Sequence, residues 1–303
     1  MMTPTPMSDS TTTKPARPLW VRLLRSATRV VLGLVVLLPA IVWLFGRTYI
    51  YHPTHTPLAA RRALASRPQW SEHSLTANGQ TLVGMRRAPL AGGAATSTAA
   101  TWAVFWGGNA ASIDANVHIM DIVRGKLDLG IDVHAYRGYD ESTGSPSEAG
   151  ILSDAREQLA ALMRDESVTA DRLVLIGQSL GTGVALRLAA ELCTAGTPPA
   201  AVVAVSPYTS MSNVFDDTLR VPLVGWALVD SWRSDAAVGA ITCPVLLIHG
   251  GADTLIRPWH SQRLAAMLGE RATLKLVPRC GHNDIWEEAT IREVHAVLAA
   301  HAR

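Results

Sequence analysis

A short apolar run, Leu173–Ile176, leads directly into the pentapeptide Gly177-Gln178-Ser179-Leu180-Gly181, and a helix-like stretch over residues 182–192 follows. Glycines two residues before and after a serine allow a strand and a helix to pass close together, since neither glycine has a side chain. In this context the turn lifts the serine hydroxyl above the sheet edge, where the first N–H groups of the helix also point. The pattern therefore predicts that Ser179 is a nucleophile. The alternative is an ordinary Gly/Ser loop between a strand and a helix.

The bulk composition is that of a folded protein with a sizeable core. The 303 residues are 48% hydrophobic and 17% charged, which argues against extended disorder. The formal net charge is only +2 and no basic stripe with interleaved aromatic residues occurs, so nucleic acid is not expected as a partner. Cys193, Cys243 and Cys280 are widely spaced and form no C-x-x-C pair, which argues against a disulfide framework and a thiolate metal site. Neither a metal nor a cofactor is expected.

The N-terminal region has the most unusual local composition in the chain. Residues 1–29 form a basic segment, Thr-, Pro- and Ser-rich over its first 18 residues, and are expected to be disordered. Residues 30–46 contain no charged side chain and are bracketed by Arg29 and Arg47. A helix of this length spans about 26 Å, which is just enough for the hydrocarbon core of a bilayer. We therefore predict a transmembrane anchor over 30–46, with a cleaved signal peptide and a buried core helix as the alternatives.

The basic residues on either side of the anchor predict its orientation. Five precede the span and three follow it within a similar distance, namely Lys14, Arg17, Arg22, Arg25 and Arg29 before it and Arg47, Arg61 and Arg62 after it. Positive charges favour the cytoplasmic side of a membrane. The expected protein is therefore single-pass, with its catalytic domain on the non-cytoplasmic side.

After a connector over residues 47–69, the pattern over 70–303 predicts one α/β domain. Asn78-Gly79 between two strand-like flanks indicates a β-hairpin. Beyond it, short apolar runs alternate with longer amphipathic runs, which is typical of a mostly parallel sheet covered by helices on both faces. The predicted strands are 102–106, 131–136, 173–176, 201–206, 244–249 and 274–277, and the predicted helices are 116–127, 147–165, 182–192, 260–268 and 289–300.

Two loops downstream of Ser179 supply the acid and the base that a serine nucleophile needs. Asp253 follows the strand that ends near His249, and His282 follows the next strand. The chain order Ser, Asp, His and the placement after parallel strands allow the three side chains to converge at one sheet edge. Asp284 and Asp154 are rival acids. His249 is interpreted as a core residue, and the other eight histidines, His52 among them, as surface or incidental residues.

The oxyanion hole is predicted from the backbone of two segments. The N–H of Leu180 directly follows the nucleophile, and a second donor is expected in the loop Trp106-Gly107-Gly108-Asn109-Ala110. The N–H of Asn109 is the preferred candidate and that of Gly108 the second. An ordinary glycine loop is the alternative.

These motifs together resemble one family over the chain from Tyr49 to the C-terminus. The segments that carry the resemblance are Gly108-Asn109-Ala110, Tyr136-Arg137-Gly138-Tyr139, Gly144-Ser145-Pro146-Ser147-Glu148, Gly177-Gln178-Ser179-Leu180-Gly181, Ser206-Pro207-Tyr208-Thr209-Ser210, His249-Gly250-Gly251-Ala252-Asp253 and Gly281-His282-Asn283-Asp284. They resemble the membrane-associated branch of the α/β-hydrolases that includes the acyl-protein depalmitoylases and their bacterial relatives. The resemblance implies an α/β-hydrolase fold and a triad of Ser179, Asp253 and His282. Two positions depart from the family pattern: Gly107 replaces a usual histidine, and Asp140 a usual glycine.

An apolar insertion over about residues 207–241 is predicted to form a short cap over the site. We expect Phe215 and Trp226 to contact an acyl group there, although these residues could equally well only pack the cap onto the sheet. The predicted activity is hydrolysis of carboxylic esters or thioesters through an acyl-enzyme on Ser179, with a small-molecule or lipid-like ester as substrate. A peptidase or amidase with the same triad is one alternative. A non-catalytic, membrane-anchored binding module is the other.

Overall fold

The computed structural model describes residues 18–89, 100–220 and 224–302, without the side chains of Val30, Val31, Leu34, Leu58 and Val224. The first 17 residues of the predicted disordered segment therefore lie outside the described residues, as do residues 221–223 of the predicted cap.

Helices and strands alternate along most of the described chain. The strands are β1 (Trp70–Ala77), β2 (Gln80–Arg87), β3 (Trp102–Trp106), β4 (Gly130–His134), β5 (Leu173–Gln178), β6 (Ala201–Val205), β7 (Val245–Gly250) and β8 (Ala272–Val277). The α-helices are α1 (Leu19–Ile50), α2 (Leu58–Ala65), α3 (Ile113–Arg124), α4 (Glu148–Asp165), α5 (Leu180–Thr194), α6 (Met211–Leu219), α7 (Ser234–Ala237), α8 (Trp259–Leu268) and α9 (Glu288–His301). Short 3₁₀ turns lie at Ala170–Arg172, Val224–Ala227, Val238–Ala240 and Gly269–Arg271.

Within the described residues, the strands form one eight-stranded sheet in the order β1-β2-β4-β3-β5-β6-β7-β8. Each pair of neighbouring strands from β4 to β8 in this order is parallel, whereas the pairs β1–β2 and β2–β4 are antiparallel. Asn78 and Gly79, both with positive φ, make the turn between β1 and β2, as the Asn-Gly signal predicts. The mostly parallel sheet of the sequence analysis is thus confirmed.

Alternate side chains of the buried strands face two separate cores. In β3, Trp102 and Val104 lie in one core, which also contains residues of α4 and α5, while Ala103 and Phe105 lie in the other with residues of α3 and α9. Both sheet faces are therefore covered, which explains why these strands are continuously apolar in sequence. Because β3 to β8 run parallel, the turns that follow these strands lie at one edge of the sheet.

The N-terminal helix differs from the sequence prediction in its extent. It begins at Leu19, so residues 19–29 are helical rather than disordered. It continues to Ile50, beyond the predicted end of the anchor at residue 46. In the part of the chain that the structure describes, no helix is long and apolar enough to cross a membrane. The predicted transmembrane anchor over residues 30–46 is therefore not confirmed; the side chains of Val30, Val31 and Leu34 within it lie outside the described ones.

One face of the C-terminal half of α1 packs against the rest of the protein. Leu38, Val42 and Ile50 contact the core on the α4–α5 side of the sheet, and a Cβ atom on Gly46 would lie 2.7 Å from the Cδ2 of Leu228. These four positions on α1 are spaced by four residues and so share one face of the helix. The end of the predicted anchor is therefore part of the folded domain.

Polar contacts fix the same end of α1 to the cap. Asp230 accepts hydrogen bonds from Arg47 Nε at 3.1 Å, from Arg47 Nη2 at 3.2 Å and from the Tyr51 hydroxyl at 2.9 Å. Trp232 Nε1 donates to the Tyr51 hydroxyl at 3.0 Å. Tyr51, Asp230 and Trp232 are all buried. Because Arg47 binds both oxygens of a buried carboxylate, the position of the end of α1 relative to the cap is closely fixed.

Candidate active site

Ser179 lies at a strained turn between β5 and α5. Its backbone has φ 49° and ψ −115°, a conformation that non-glycine residues rarely adopt and that is often found at functional sites. A Cβ atom on Gly177 would lie 2.3 Å from the Gly181 carbonyl oxygen, and one on Gly181 would lie 2.0 Å from the Trp106 carbonyl oxygen. Only glycine fits at either position, because backbone atoms occupy the space of a side chain.

The structure brings Ser179, His282 and Asp253 together, although they follow three different strands. His282 Nε2 lies 3.0 Å from Ser179 Oγ, and His282 Nδ1 lies 2.7 Å from Asp253 Oδ2. The side chains of His282 and Asp253 are 11% and 0% exposed. An imidazole between a hydroxyl and a carboxylate can take the hydroxyl proton at Nε2 while its Nδ1–H is held by the acid.

The surroundings of Asp253 keep its carboxylate ionised. Its Oδ1 accepts the backbone N–H groups of Leu255 and Ile256, both at 2.9 Å, and Oδ2 lies 3.5 Å from His249 Nε2. Burial acts to raise the pKa of Asp253, but the interactions with His249, His282 and Ile256 outweigh it and hold the pKa well below its ordinary value. The acid therefore remains a hydrogen-bond acceptor for His282 at any pH near neutrality.

The two rival acids have other partners. Asp284 Oδ1 accepts the backbone N–H of Gly281 at 2.7 Å. Asp154 binds Arg137 through two hydrogen bonds of 2.7 and 2.6 Å. Neither carboxylate has a hydrogen bond with His282 among the described contacts, so the geometry favours Asp253.

The loop after β3 passes directly over Ser179. A Cβ atom on Gly108 would lie 3.4 Å from Ser179 Cβ, and Asn109 lines the same cavity as Ser179 and Leu180. Leu180 is the first residue of α5, so its N–H has no acceptor within the helix. Gly108 and Leu180 thus lie beside Ser179, and Asn109 lines the same cavity. Backbone N–H groups in such positions suit an oxyanion on an acyl carbon.

Each departure from the family pattern has a structural counterpart. A Cβ atom on Gly107 would lie 2.3 Å from Asn116 Oδ1, so the Asn116 side chain from α3 fills the space that a larger residue would need. Asp140 has φ 50°, which glycine adopts more easily. Its carboxylate compensates by accepting the backbone N–H of Thr56 at 2.6 Å and that of Ile113 at 3.0 Å.

A cavity of about 280 Å³ opens beside the Ser179 hydroxyl. Its walls come from the end of α1, from α6 and from the loops that carry Ser179, Asp253 and His282, and most of the lining is apolar. The lining residues are Tyr49, Ile50, His52, Asn109, Ser179, Leu180, Met211, Val214, Phe215, Thr218, Leu255, Ile256, His282 and Asn283. The rings of Phe215 and Tyr49 meet edge to face with centroids 4.9 Å apart.

Trp226 lies elsewhere, contrary to the sequence prediction. Its side chain is 72% exposed and lines a second cavity of about 600 Å³, between the cap and α1, together with Trp43. The prediction failed because α1 reaches the cap and takes the inner position: Tyr49 and Ile50 line the site instead. Sequence reasoning missed these two residues and His52, since they directly follow the predicted anchor.

Several proteins are similar in sequence to this chain, although no family model matches it. An uncharacterized protein of Mycobacterium tuberculosis, Rv2307c, is 31% identical over 247 residues, which are 80% of this chain and 82% of that protein. The putative alpha/beta hydrolase L404 of Acanthamoeba polyphaga mimivirus is 28% identical over 64% of this chain and 72% of its own length. The lysophosphatidylserine lipase ABHD12 of Danio rerio is 37% identical over 134 residues, 40% of this chain but only 35% of that protein.

Solved structures share the fold at low sequence identity. An alpha-beta hydrolase from Vibrio vulnificus has a TM-score of 0.68 and 18% identity, covering 81% of this chain and 87% of its own. The Pyrococcus furiosus esterase Pf2001 has a TM-score of 0.65 and 15% identity over 83% of this chain and 97% of its own. A bacterial membrane phospholipase A has a TM-score of 0.57 and 16% identity, with 93% and 98% covered.

Proposed function

We infer that this chain is a member of the α/β-hydrolase superfamily, which the similar sequences and the shared fold support. From that premise we propose that it is a serine hydrolase that cleaves carboxylic esters or thioesters with an apolar acyl group. The observation that carries the proposal is the continuous hydrogen-bonded series from Ser179 Oγ through His282 to Asp253, with distances of 3.0 and 2.7 Å. Such a series is how a serine hydroxyl becomes a nucleophile.

In the proposed reaction, Ser179 Oγ attacks the acyl carbon while its proton passes to His282 Nε2. Asp253 holds Nδ1–H of the imidazole and stabilises the imidazolium. The N–H groups of Leu180 and Asn109 receive the negative charge on the acyl oxygen. His282 then gives its proton to the departing alcohol or thiol. It finally deprotonates the water that releases the acid and restores the Ser179 hydroxyl.

The lining of the cavity supports an apolar acyl group. Aliphatic or aromatic surface comes from Ile50, Met211, Val214, Phe215 and Leu255. None of the described lining residues is an aspartate, glutamate, lysine or arginine, and the histidines among them are His52 and His282 of the triad. Apolar walls with a few polar groups at one end are typical of small-molecule sites. Two of the similar proteins, the lysophosphatidylserine lipase ABHD12 and the esterase Pf2001, are named for ester chemistry, which agrees with the proposal. A thioester substrate, as in the depalmitoylase branch, belongs to the same proposal.

Two alternatives remain distinguishable by experiment. A peptidase or amidase would use the same three residues, and it would turn over anilides of the same acyl group, whereas an esterase would cleave only the esters at a measurable rate. A non-catalytic binding module would show neither turnover nor covalent labelling by a fluorophosphonate.

The membrane is the second part of the proposal: we propose that the protein acts at a membrane surface that α1 contacts. Its support is the large exposed apolar surface of α1 and of the adjoining cap. The residues concerned are Leu32, Val35, Val36, Leu37, Trp43, Leu44 and Phe45 on α1, and Trp226 and Val229 on the cap. Contiguous exposed apolar surface of this kind marks interaction sites. A catalytic domain on the non-cytoplasmic side, which the basic residues upstream favour, would additionally require α1 to insert across the bilayer.

Replacement of Ser179 by alanine should reduce ester hydrolysis by about three orders of magnitude or more and abolish fluorophosphonate labelling, because the nucleophile is lost. Asp253→Asn should cost less, since its effect passes through the orientation of His282. Asp284→Asn is the matched control: its remaining oxygen can still accept the Gly281 N–H, so activity should stay close to that of the wild type. Initial rates with a chromogenic short-chain ester measure all three. A fully active Ser179→Ala variant, or a greater loss in Asp284→Asn than in Asp253→Asn, contradicts the assignment.

The cavity should discriminate between acyl chain lengths. Each methylene that enters an apolar pocket adds up to about 0.8 kcal/mol, so kcat/KM should rise by up to about fourfold per carbon for the first few carbons and then level off. Phe215→Ala should flatten this rise because the residue lines the cavity. Trp226→Ala is the control, since it points away from the site and should leave the profile unchanged. The measurement is kcat/KM across an ester series. Equal effects of the two substitutions would show that Phe215 only packs the cap.

Membrane contact should be visible by fractionation of cells that produce the full-length chain. We expect the protein to sediment with membranes in high salt, because apolar contacts are not screened by ions. A protein found in the soluble fraction would reject the membrane contact. A reporter at the C-terminus would be non-cytoplasmic only if α1 also crosses the bilayer.

A further inference from the structure

The loop over Ser179 is held by side chains rather than by regular backbone pairing. Its internal backbone hydrogen bond runs from Ala111 N to Gly108 O at 3.2 Å. The Tyr136 hydroxyl donates to the Gly107 carbonyl oxygen at 2.6 Å, which fixes the start of the loop. The direction of an N–H group follows the plane of its peptide, and regular backbone pairing does not set that plane in a short irregular turn. The orientation of the Asn109 N–H therefore depends on the contacts that hold Asn109 in place.

The side-chain amide of Asn109 makes four hydrogen-bond contacts, three at its oxygen and one at its nitrogen. Its Oδ1 accepts from the Tyr139 hydroxyl at 2.8 Å, from the His52 backbone N–H at 2.9 Å and from its neighbour Ala110 N at 3.0 Å. Its Nδ2 lies 2.7 Å from His52 Nδ1. Asn109 Nδ2 has only hydrogens to offer, so His52 Nδ1 is the acceptor in this pair. Two of the four contacts therefore come from one residue, His52.

His52 is itself held in place by its neighbours in the chain. Tyr51 is buried and bound to Asp230 at 2.9 Å. On the other side, the backbone oxygen of Thr54 accepts from Asp140 N at 2.6 Å, and Thr56 N donates to the Asp140 carboxylate. The segment after α1 is therefore fixed on both sides of His52, and the exposed imidazole is held against the rim of the catalytic cavity.

We propose that His52 is a positioning residue for the oxyanion hole: by accepting from Asn109 Nδ2, it fixes the loop so that the Asn109 N–H points at the developing oxyanion. The inference rests on the proposed hydrolase function. The segment that follows α1 is then part of the active site. Tyr139, the second tyrosine of the motif Tyr136-Arg137-Gly138-Tyr139, supports the same amide through its hydrogen bond to Asn109 Oδ1.

The test compares three variants of the full-length protein with a chromogenic ester. His52→Ala removes one of the four bonds, because the backbone N–H remains. We expect kcat to fall about tenfold, less than the loss of an oxyanion donor itself, with KM and the thermal midpoint unchanged. His52→Asn should recover most of the rate, since the asparagine oxygen lies close to the position of Nδ1. His118→Ala is the control: this exposed histidine on α3 does not line the cavity, so its rate should be that of the wild type.

An inhibitor that forms an oxyanion separates positioning from general destabilisation. With an alkyl trifluoromethyl ketone, Ser179 Oγ adds to the carbonyl carbon, its proton passes to His282, and the ketone oxygen becomes an oxyanion in the hole. The inhibition constant should rise in His52→Ala by the same factor as kcat falls, because both depend on oxyanion binding.

Three results would overturn the inference: an unchanged kcat in His52→Ala, an equal loss in His118→Ala, or an unchanged inhibition constant for the ketone. If His52→Ala does not fold, the same comparison is made with His52→Asn and with Tyr139→Phe, which removes the other side-chain partner of the Asn109 amide. Failure of the proposed function looks different, since Ser179→Ala would then keep its activity.

Discussion

Gly181 packs so closely against the backbone of Trp106 that a Cβ atom on Gly181 would lie 2.0 Å from the Trp106 carbonyl oxygen. This close approach brings three parts of the site together. It lets α5 begin against the end of β3, which places the loop after β3 over Ser179. The same turn forces Ser179 into its strained conformation with φ 49°. Strain of this kind persists only where the surrounding packing over-determines it, and the two fully covered faces of the sheet supply that packing.

The parallel strands then determine where the remaining groups lie. β5, β7 and β8 end at the same edge, so Ser179, Asp253 and His282 can meet although their loops are far apart in sequence. Local signals were sufficient to predict these positions: apolar runs of strand length, an Asn-Gly turn, and a serine, an acid and a histidine each directly after a strand. The rival Asp154 lies on α4, ahead of Ser179 in the chain, and Asp284 is only two residues from His282. The structure adds that their carboxylates bind Arg137 and the Gly281 N–H instead of His282.

The parts of the site that the sequence did not reveal depend on long-range packing. Arg47 and Asp230 are 183 positions apart, and no local pattern indicates that they meet. Because they do, the end of α1 lines the cavity with Tyr49, and Trp226 is left on the outer surface. His52 was interpreted as incidental for the same reason: its partner Asn109 is 57 positions away. The role of Asp140 could not be predicted from the sequence either, because its carboxylate binds the backbone N–H groups of Thr56 and Ile113 rather than a group of the catalytic site.

The central claim is that Ser179 carries the acyl group between two half-reactions. Its most direct test is to mix the full-length protein with a chromogenic ester, quench with acid in the steady state, and determine the intact mass and the modified peptide. The account predicts a mass increase equal to one acyl group, located on Ser179 and lost with time as substrate is exhausted. Continued turnover with the acyl group on another residue, or with no adduct together with undiminished activity in the Ser179→Ala variant, would contradict it.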